Sequence, residues 1–372
     1  MEKELNYRLV MELIFEKLLR NHERYRDKYP HISNLMTDEN KLDYEPMDNN
    51  LWTSSFFPGE MLLAYYATGD TVFLSDKDSY LDSFENRLDK RIGISHDLGF
   101  LYSLTCVALS RLTEDKRAKE IAARAADELY LRYNKRGKFI QAWGEMNIGN
   151  PYVLIIADTM LNLPLLYQSS DPRHVAAAFD HAETASKTIV REDYSSFHTY
   201  QMEPLTGKAI EGRTHQGFRD SSTWARGQAW IVYGYALSYL YTKNKDFLDI
   251  ACNAADYFLE NLPKDKVAYW DLSFTDKVPD IKDTSAAAIL ACGLLELSDR
   301  VSEPHRAEVY KKAAKEIAKS LYEKYFWHDM NSPVVLTNGM YHRDLGSVGT
   351  SWGDYFFFEA IARLEGNHVR FW

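Results

Sequence analysis

Cysteine is scarce in this 372-residue chain. There are three, Cys106, Cys252 and Cys292, an odd number without motif spacing. That excludes a disulfide framework and a zinc site, and reduced thiols in a cytosol are the simple reading. Basic charge is in deficit too. The net charge is -10, which argues against nucleic acid or an anionic membrane as the main partner. Long apolar runs are missing, because Asp158 and Asn162 interrupt the longest before it reaches the roughly 18 residues of a membrane span. The opening stretch MEKELNYRLVMELIFEKLLR is an amphipathic charged helix without a signal-peptide core. These absences point to a cytoplasmic protein. There is no GxSxG, P-loop, GxGxxG or HExxH pattern, so neither a cofactor nor a metal is expected.

What is abundant is aromatic and helical. Eight Trp and 25 Tyr supply flat, amphipathic rings for a core and for the walls of a sugar cleft. Helical periodicity dominates, with helices expected over 3–26, 56–68, 71–88, 97–112, 115–134, 151–168, 172–190, 223–242, 245–261, 284–300, 304–325 and 351–365. Short polar joints at 67–70, 112–115, 168–171, 242–246 and 302–305 close helix pairs and offer N-cap residues. Longer segments at 135–150, 191–222, 262–283 and 326–350 separate the pairs. Irregular pairs divided by long loops favour a closed ring over an open solenoid. The expectation is one all-α domain over 1–372, an (α/α)6 barrel whose inner helices present their N-terminal ends, and the long loops, at one mouth. Helix N-termini attract anions, so a negatively charged ligand would suit that mouth.

The stretch at 151–167, PYVLIIADTMLNLPLLY, is apolar on every side except at Asp158, Thr159 and Asn162. Read as a helix, it is buried all round, and Asp158 has no basic neighbour three or four positions away. Such a carboxyl either finds a distant partner or holds its proton. A carboxyl that holds its proton near neutral pH can deliver it in a reaction. Asp97, beside His96, starts the fourth helix and reads either as a cap or as a second carboxylate converging on the mouth, the pairing used in glycoside hydrolysis. The densest polar stretch, IEGRTHQGFRDSSTWARGQAW at 210–230, puts Arg226 and Trp230 on one helix face. There an Arg fork can grip a carboxylate and a Trp can stack on a sugar, unless the two pair with each other. Trp52, Trp143, His198 and His342 are further candidate binding residues, though residues of this kind, taken singly, are more often structural than functional.

Eight segments, in order along the chain, carry a resemblance: HDLGFLYS at 96–103, FIQAWGE at 139–145, LIIADTMLNLPLL at 154–166, SSFHTY at 195–200, THQGFRDSSTWARGQAW at 214–230, YWDL at 269–272, DTSAAAILACGLLEL at 283–297 and WGDYFFFEA at 352–360. Together they resemble the unsaturated glucuronyl hydrolases, glycoside hydrolase family 88. The resemblance implies an enzyme that removes a terminal Δ4,5-unsaturated uronic acid from oligosaccharides left by polysaccharide lyases, of the glycosaminoglycan type, by hydrating the vinyl ether. It implies Asp158 as the acid that protonates C4 and then as the base for water at C5, and Asp97 as the second carboxylate. It assigns substrate contact to Thr214, His215, Gln216, Arg226 and Trp230, and the cleft wall to Trp52, Trp143 and His198. The chain departs from the family pattern at Leu51 and Phe57, near that wall. The expected partner is an unsaturated disaccharide or oligosaccharide, and the expected state a monomer or weak homo-oligomer. Rival readings are an unsaturated rhamnogalacturonyl hydrolase, an inverting glycosidase on the same ring, and a non-catalytic sugar-binding toroid.

Overall fold

Residues 4–33, 42–147, 149–368 and 370–372 are described by a computed structural model. The helices are α1 (Tyr7–Asn21), α2 (Phe56–Thr68), α3 (Lys77–Asp89), α4 (Leu98–Tyr102), α5 (Ala108–Thr113), α6 (Lys116–Tyr130), α7 (Pro164–Tyr167), α8 (Pro172–Ser186), α9 (Ala225–Thr242), α10 (Lys245–Glu260), α11 (Thr284–Ser298), α12 (Pro304–Tyr325) and α13 (Ser351–Leu364). Short strands join them: β1 (Tyr29–Pro30) with β2 (Pro46–Met47), β3 (Tyr133–Asn134) with β4 (Phe139–Ile140), and an antiparallel sheet of β5 (Val153–Ile156), β6 (Thr199–Met202) and β7 (Ala209–Arg213).

Burial sorts the helices into two layers. From Ala225 to Ser238 every residue of α9 is buried, as is every residue of α11 from Thr284 to Leu297. Helices apolar all round belong inside. By contrast α6 buries only Ala118, Ile121, Ala122, Ala125, Ala126 and Leu129, a single face with its charges turned outward. The inner ring runs α2, α4–α5, the segment through α7, α9, α11 and α13, each touching the next, and α13 returns to α2. α3, α6, α8, α10 and α12 form the outer layer, and α1 packs outside α13, so the two ends of the chain close the ring. This is the expected all-α toroid. Trp372 seals its floor, fully buried and stacked on Phe356 at 5.6 Å.

All five polar joints are where the sequence places them. Asp70, Asp115, Asp171 and Asn244 each accept a backbone N–H as side-chain caps. The fifth joint works differently: Glu303 makes no capping bond, and Pro304 starts α12 with a preset φ and no N–H to satisfy.

Several expected helices are shorter or broken. The helix expected over 3–26 is α1 followed by a 3-10 turn at His22–Tyr25, and its first residue lies outside the described set. The one expected over 71–88 divides into a 3-10 turn at Thr71–Leu74 and α3. A π-helical stretch, Ser103–Val107, separates α4 from α5. The largest correction concerns 151–168, which is not one helix. It is strand β5, then a 3-10 turn at Ala157–Leu161, then α7 opened by Pro164. The run Val-Leu-Ile-Ile is rich in β-branched residues, which favour a pleated surface. It pairs with β6, Ile156 opposite Thr199, inside the long segment at 191–222 that separates two helix pairs. Burial was legible there and the backbone was not: Ile155, Ala157 and Thr159 through Leu166 are buried whether helical or not. Asp158 therefore stands at a strand's end, on a tight turn.

That turn packs against the start of α4 with almost no space between them. A Cβ at Gly99 would sit 2.3 Å from both Cα and the carbonyl oxygen of Asn162. Asn162 joins the two segments, its Oδ1 accepting from Phe100 N at 2.7 Å and its Nδ2 donating to the Asp158 carbonyl at 3.0 Å. Because the obstacle is backbone, it cannot swing aside. Gly99→Ala should therefore lose about 1–3 kcal/mol or more to overpacking, read as a lower urea midpoint. An unchanged midpoint would show that the two segments are not held this close.

Candidate active site

A cleft of about 300 Å³ opens at the N-terminal ends of the inner helices. Trp52, His96, Asp97, Trp143, Ile156, Asp158, His215, Gln216, Arg226 and Tyr341 line it. A groove of about 390 Å³ lies at the opposite end of the ring, lined among others by Arg111, Lys119, Gln168 and Tyr241. It is larger, but no carboxylate or imidazole faces it, so the chemistry points to the first cleft. Among the described residues no group of three or more His, Cys, Asp or Glu is placed to hold a metal, and no helix is long and apolar enough to cross a membrane.

Asp97 precedes α4 but makes no capping bond to it. Its Oδ2 accepts instead from Ser95 Oγ at 2.9 Å, and its Oδ1 lies 3.3 Å from His96 Nε2. The carboxylate thus turns back onto the two residues before it and does not serve as the cap of α4. Burial holds His96 below its usual pKa, with Asp97 opposing the shift and Arg132 adding to it. The His96 imidazole is therefore neutral at pH 7.

Asp158 is only 16% exposed, and its Oδ2 has no hydrogen-bond partner. Burial is the main cause that raises its pKa to about 7. Arg226 and the carboxyl's own backbone pull it down, and Asp97 pushes it up. Arg226 is close, yet its charge is engaged elsewhere. Nη1 donates to Asp283 Oδ2 at 2.8 Å and to the Met340 carbonyl, and Nη2 donates to the Tyr341 carbonyl at 3.3 Å. Its guanidinium lies between Trp224 and Trp352, 4.3 and 5.0 Å from their ring centroids. The expected carboxylate fork is thus turned largely inward, onto a fully buried Asp283.

His198 approaches Asp158 from below, with Nε2 3.8 Å from Oδ2. Its Nδ1 accepts the backbone N–H groups of His215 at 3.1 Å and Gln216 at 3.0 Å. An accepting Nδ1 leaves the proton on Nε2, pointing at the carboxyl. Burial holds this imidazole well below its usual pKa, helped by His215, Arg226 and His96.

A raised carboxyl pKa is not by itself a sign of function. Burial also lifts Asp354 to about 7. That group, however, accepts from Tyr44 Oη at 2.7 Å and Leu336 N at 2.8 Å, and it lies off the cleft. Asp158 differs in lining the cleft itself, with a buried Oδ2 that no hydrogen bond satisfies.

Four of the residues singled out from sequence lie outside the lining. Trp230 is fully buried between Phe100 and Phe356. Its indole is near enough to Asp158 to favour the carboxylate, but no hydrogen bond closes between them. His198 is behind the wall. Thr214 shapes the loop, its Oγ1 accepting from Gly217 N at 2.7 Å. His342 is half exposed and faces Asp344. Its neighbour Tyr341 reaches the cleft instead, and the Tyr341 carbonyl also accepts from Gln216 Nε2 at 3.0 Å. The residue that lines the cleft is thus the one beside the candidate histidine. Ile156 was also missed, because it belongs to the unrecognised strand. Of the two departures near the wall, Phe57 is buried against Tyr25 at 5.0 Å, away from the cleft. The Leu51 carbonyl anchors Arg87 Nη1 at 2.8 Å.

Residues 20–354 match Glycosyl Hydrolase Family 88. An unsaturated chondroitin disaccharide hydrolase of Streptococcus agalactiae is 39% identical over 341 residues, 88% of this chain and 85% of that one. The crystal structure of an unsaturated glucuronyl hydrolase from Bacillus sp. GL1, described as responsible for the degradation of glycosaminoglycan, superposes with a TM-score of 0.91 at 38% identity, covering 97% of each chain. A mutant Streptococcus agalactiae unsaturated glucuronyl hydrolase complexed with dGlcA-GalNAc6S superposes with a TM-score of 0.86 at 32% identity, covering 100% of this chain and 95% of that one.

The Asp158 environment has a consequence for stability. A carboxyl near 7 when folded and near 4 when unfolded binds its proton more tightly in the native state. Stability from this group therefore falls as pH rises from about 4 to 7, and the full penalty applies above 7. Asp158→Asn should be more stable than the parent by on the order of 3 kcal/mol at pH 8 and about equal at pH 4. Urea unfolding at the two pH values measures this, and a difference independent of pH would contradict it.

Proposed function

The chain belongs to Glycosyl Hydrolase Family 88, a glycosidase family, and from that premise we propose that it removes a terminal Δ4,5-unsaturated uronic acid from glycosaminoglycan-type disaccharides and oligosaccharides. The observation that carries this reading is the Asp158 carboxyl, held near pKa 7 by burial in the wall of a cleft it shares with Asp97. Such a group holds its proton for part of the time at neutral pH and can take it back after releasing it, which is what addition of water across a double bond requires.

In the proposed reaction Asp158 gives its proton to C4, and the double-bond electrons form the new C–H bond. Positive charge develops at C5 and on the ring oxygen, and the Asp97 carboxylate stabilises it. Water then bonds to C5 and loses a proton to Asp158, which restores the acid. The product is a hemiketal. Its ring opens to a C5 ketone, and the hemiacetal left at C1 collapses to an aldehyde, releasing the other sugar. One water is consumed overall. His198, with its proton on Nε2, favours the ionised state of Asp158 in the middle of the cycle. Trp52, Trp143, His215, Gln216 and Tyr341 form the wall against which the ring is placed.

The same proposal puts the enzyme in the cytoplasm as a monomer or weak homo-oligomer. The three cysteines, all free and buried, agree with a reducing compartment.

Unsaturated disaccharides from hyaluronan, chondroitin, heparin and pectin should be screened by loss of the ultraviolet absorbance of the conjugated double bond. At least one glycosaminoglycan-derived substrate should be consumed, and Asp158→Asn should fold and lower kcat by about 100-fold or more. Saturated analogues should survive. Retained activity in the variant, or cleavage of saturated glycosides, would overturn the reading.

A further inference from the structure

Each carboxylate of the cleft is faced by a buried imidazole, but the two imidazoles are anchored differently. His198 Nδ1 is fixed by two backbone N–H groups, which no side-chain change removes. His96 Nδ1 is held instead by a side chain, Thr159 Oγ1 at 3.0 Å. Thr159 is fully buried and adjoins Asp158 on the 3-10 turn. The turn that carries one acid therefore holds the imidazole that faces the other.

A hydroxyl can donate or accept, so two arrangements are conceivable. If Nδ1 carried the proton, the ring would donate to Thr159 and turn the Nε2 lone pair toward Asp97 Oδ1, 3.3 Å away. That places two electron-rich atoms against each other. If Nε2 carries the proton, Thr159 donates to Nδ1 and the ring N–H faces the carboxylate, so both contacts are attractive. The other groups around the ring do not compete for this proton. Arg132 donates to the Ile94, Gln141 and Gly144 carbonyls. Trp143 meets the ring edge-on at 6.3 Å. His181 Nδ1 accepts from Ile140 N.

We propose that Thr159 is a positioning residue whose hydroxyl, by donating to His96 Nδ1, holds the His96 ring so that its Nε2 proton faces Asp97. Asp97 then has Ser95 Oγ on one oxygen and the His96 N–H dipole against the other, which fixes its direction across the cleft. Without the hydroxyl the ring keeps its volume of space but loses its anchor, and Asp97 loses alignment where positive charge develops. The effect falls on the chemical step more than on substrate binding. This inference rests on the cleft being the hydrolase site.

The test combines nitrogen NMR of histidine-labelled protein with kinetics on the unsaturated disaccharide that the parent turns over. In the parent, His96 should be neutral with its proton on Nε2 and its Nδ1 resonance shifted as a hydrogen-bond acceptor. Thr159→Val should fold, lose that shift, and lower kcat about 10- to 100-fold with little change in KM. Thr159→Ser, which keeps the hydroxyl, should restore both the shift and kcat. A proton on Nδ1 in the parent would overturn the proposal. So would parent-like kcat in Thr159→Val, or a loss in Thr159→Ser as large as in the valine variant. If the valine variant does not fold, the parent spectrum and the serine variant still decide. Absence of turnover by the parent would defeat the functional reading, whereas the nitrogen spectrum alone decides the anchor.

Discussion

The ion pair between Arg226 and Asp283 decides what Asp158 is. Both partners are buried, at 2% and 0% exposure. Separating such a pair leaves an uncompensated charge, at a cost of about 3–5 kcal/mol. Asp283 also accepts from Ser285 N, Ser285 Oγ and Met340 N, so its position is fixed from several sides. Arg226 is consequently held toward α11 and the 340–341 backbone. Its field still reaches Asp158, but it makes no salt bridge there. A direct pair would draw the carboxyl below its ordinary pKa and strip the proton from it at neutral pH. The pKa that burial raises thus stays raised because the nearby cation is engaged one helix further round the ring, at the start of α11.

A second constraint is distance. Asn162 and Gly99 bring the turn bearing Asp158 against the helix start bearing Asp97, with no room for even a methyl group. The two carboxylates then share a field, and Asp97 adds to the upward shift of Asp158. Each acid also has a neutral imidazole behind it. The site is preorganised by backbone, by amide and hydroxyl bridges, and by stacked rings, and few of its polar groups are left to solvent. Such preorganisation places dipoles where charge will develop, before any substrate arrives.

Much of this was legible in the sequence, for physical reasons. The helical periodicity, with its irregular pairs and the long loops between them, marked a ring of hairpins. The five polar joints marked where each pair turns. Asp158 stood out as an acid in an apolar setting without a local counter-charge, which remains true on a turn as on a helix. What was not legible depends on contacts far apart in the chain. Val153–Ile156 is an apolar run whose form is set by β6, nearly fifty residues on. Arg226 advertised a fork but not its partner, since Asp283 is 57 positions away. Trp230 looked exposed to a ligand only because its neighbours Phe100 and Phe356 were unknown. Tyr341 was passed over for His342 because a histidine is chemically louder than the tyrosine beside it.

All of this converges on the protonation state of one side chain. Aspartate carboxyl carbons can be labelled and followed by carbon NMR across pH, with the Asp158→Asn spectrum identifying the resonance that belongs to Asp158. The account places its titration midpoint at about 7. A midpoint near the ordinary value of about 4 would mean that the carboxyl is ionised throughout the neutral range, and the proton it is held to deliver would not be there.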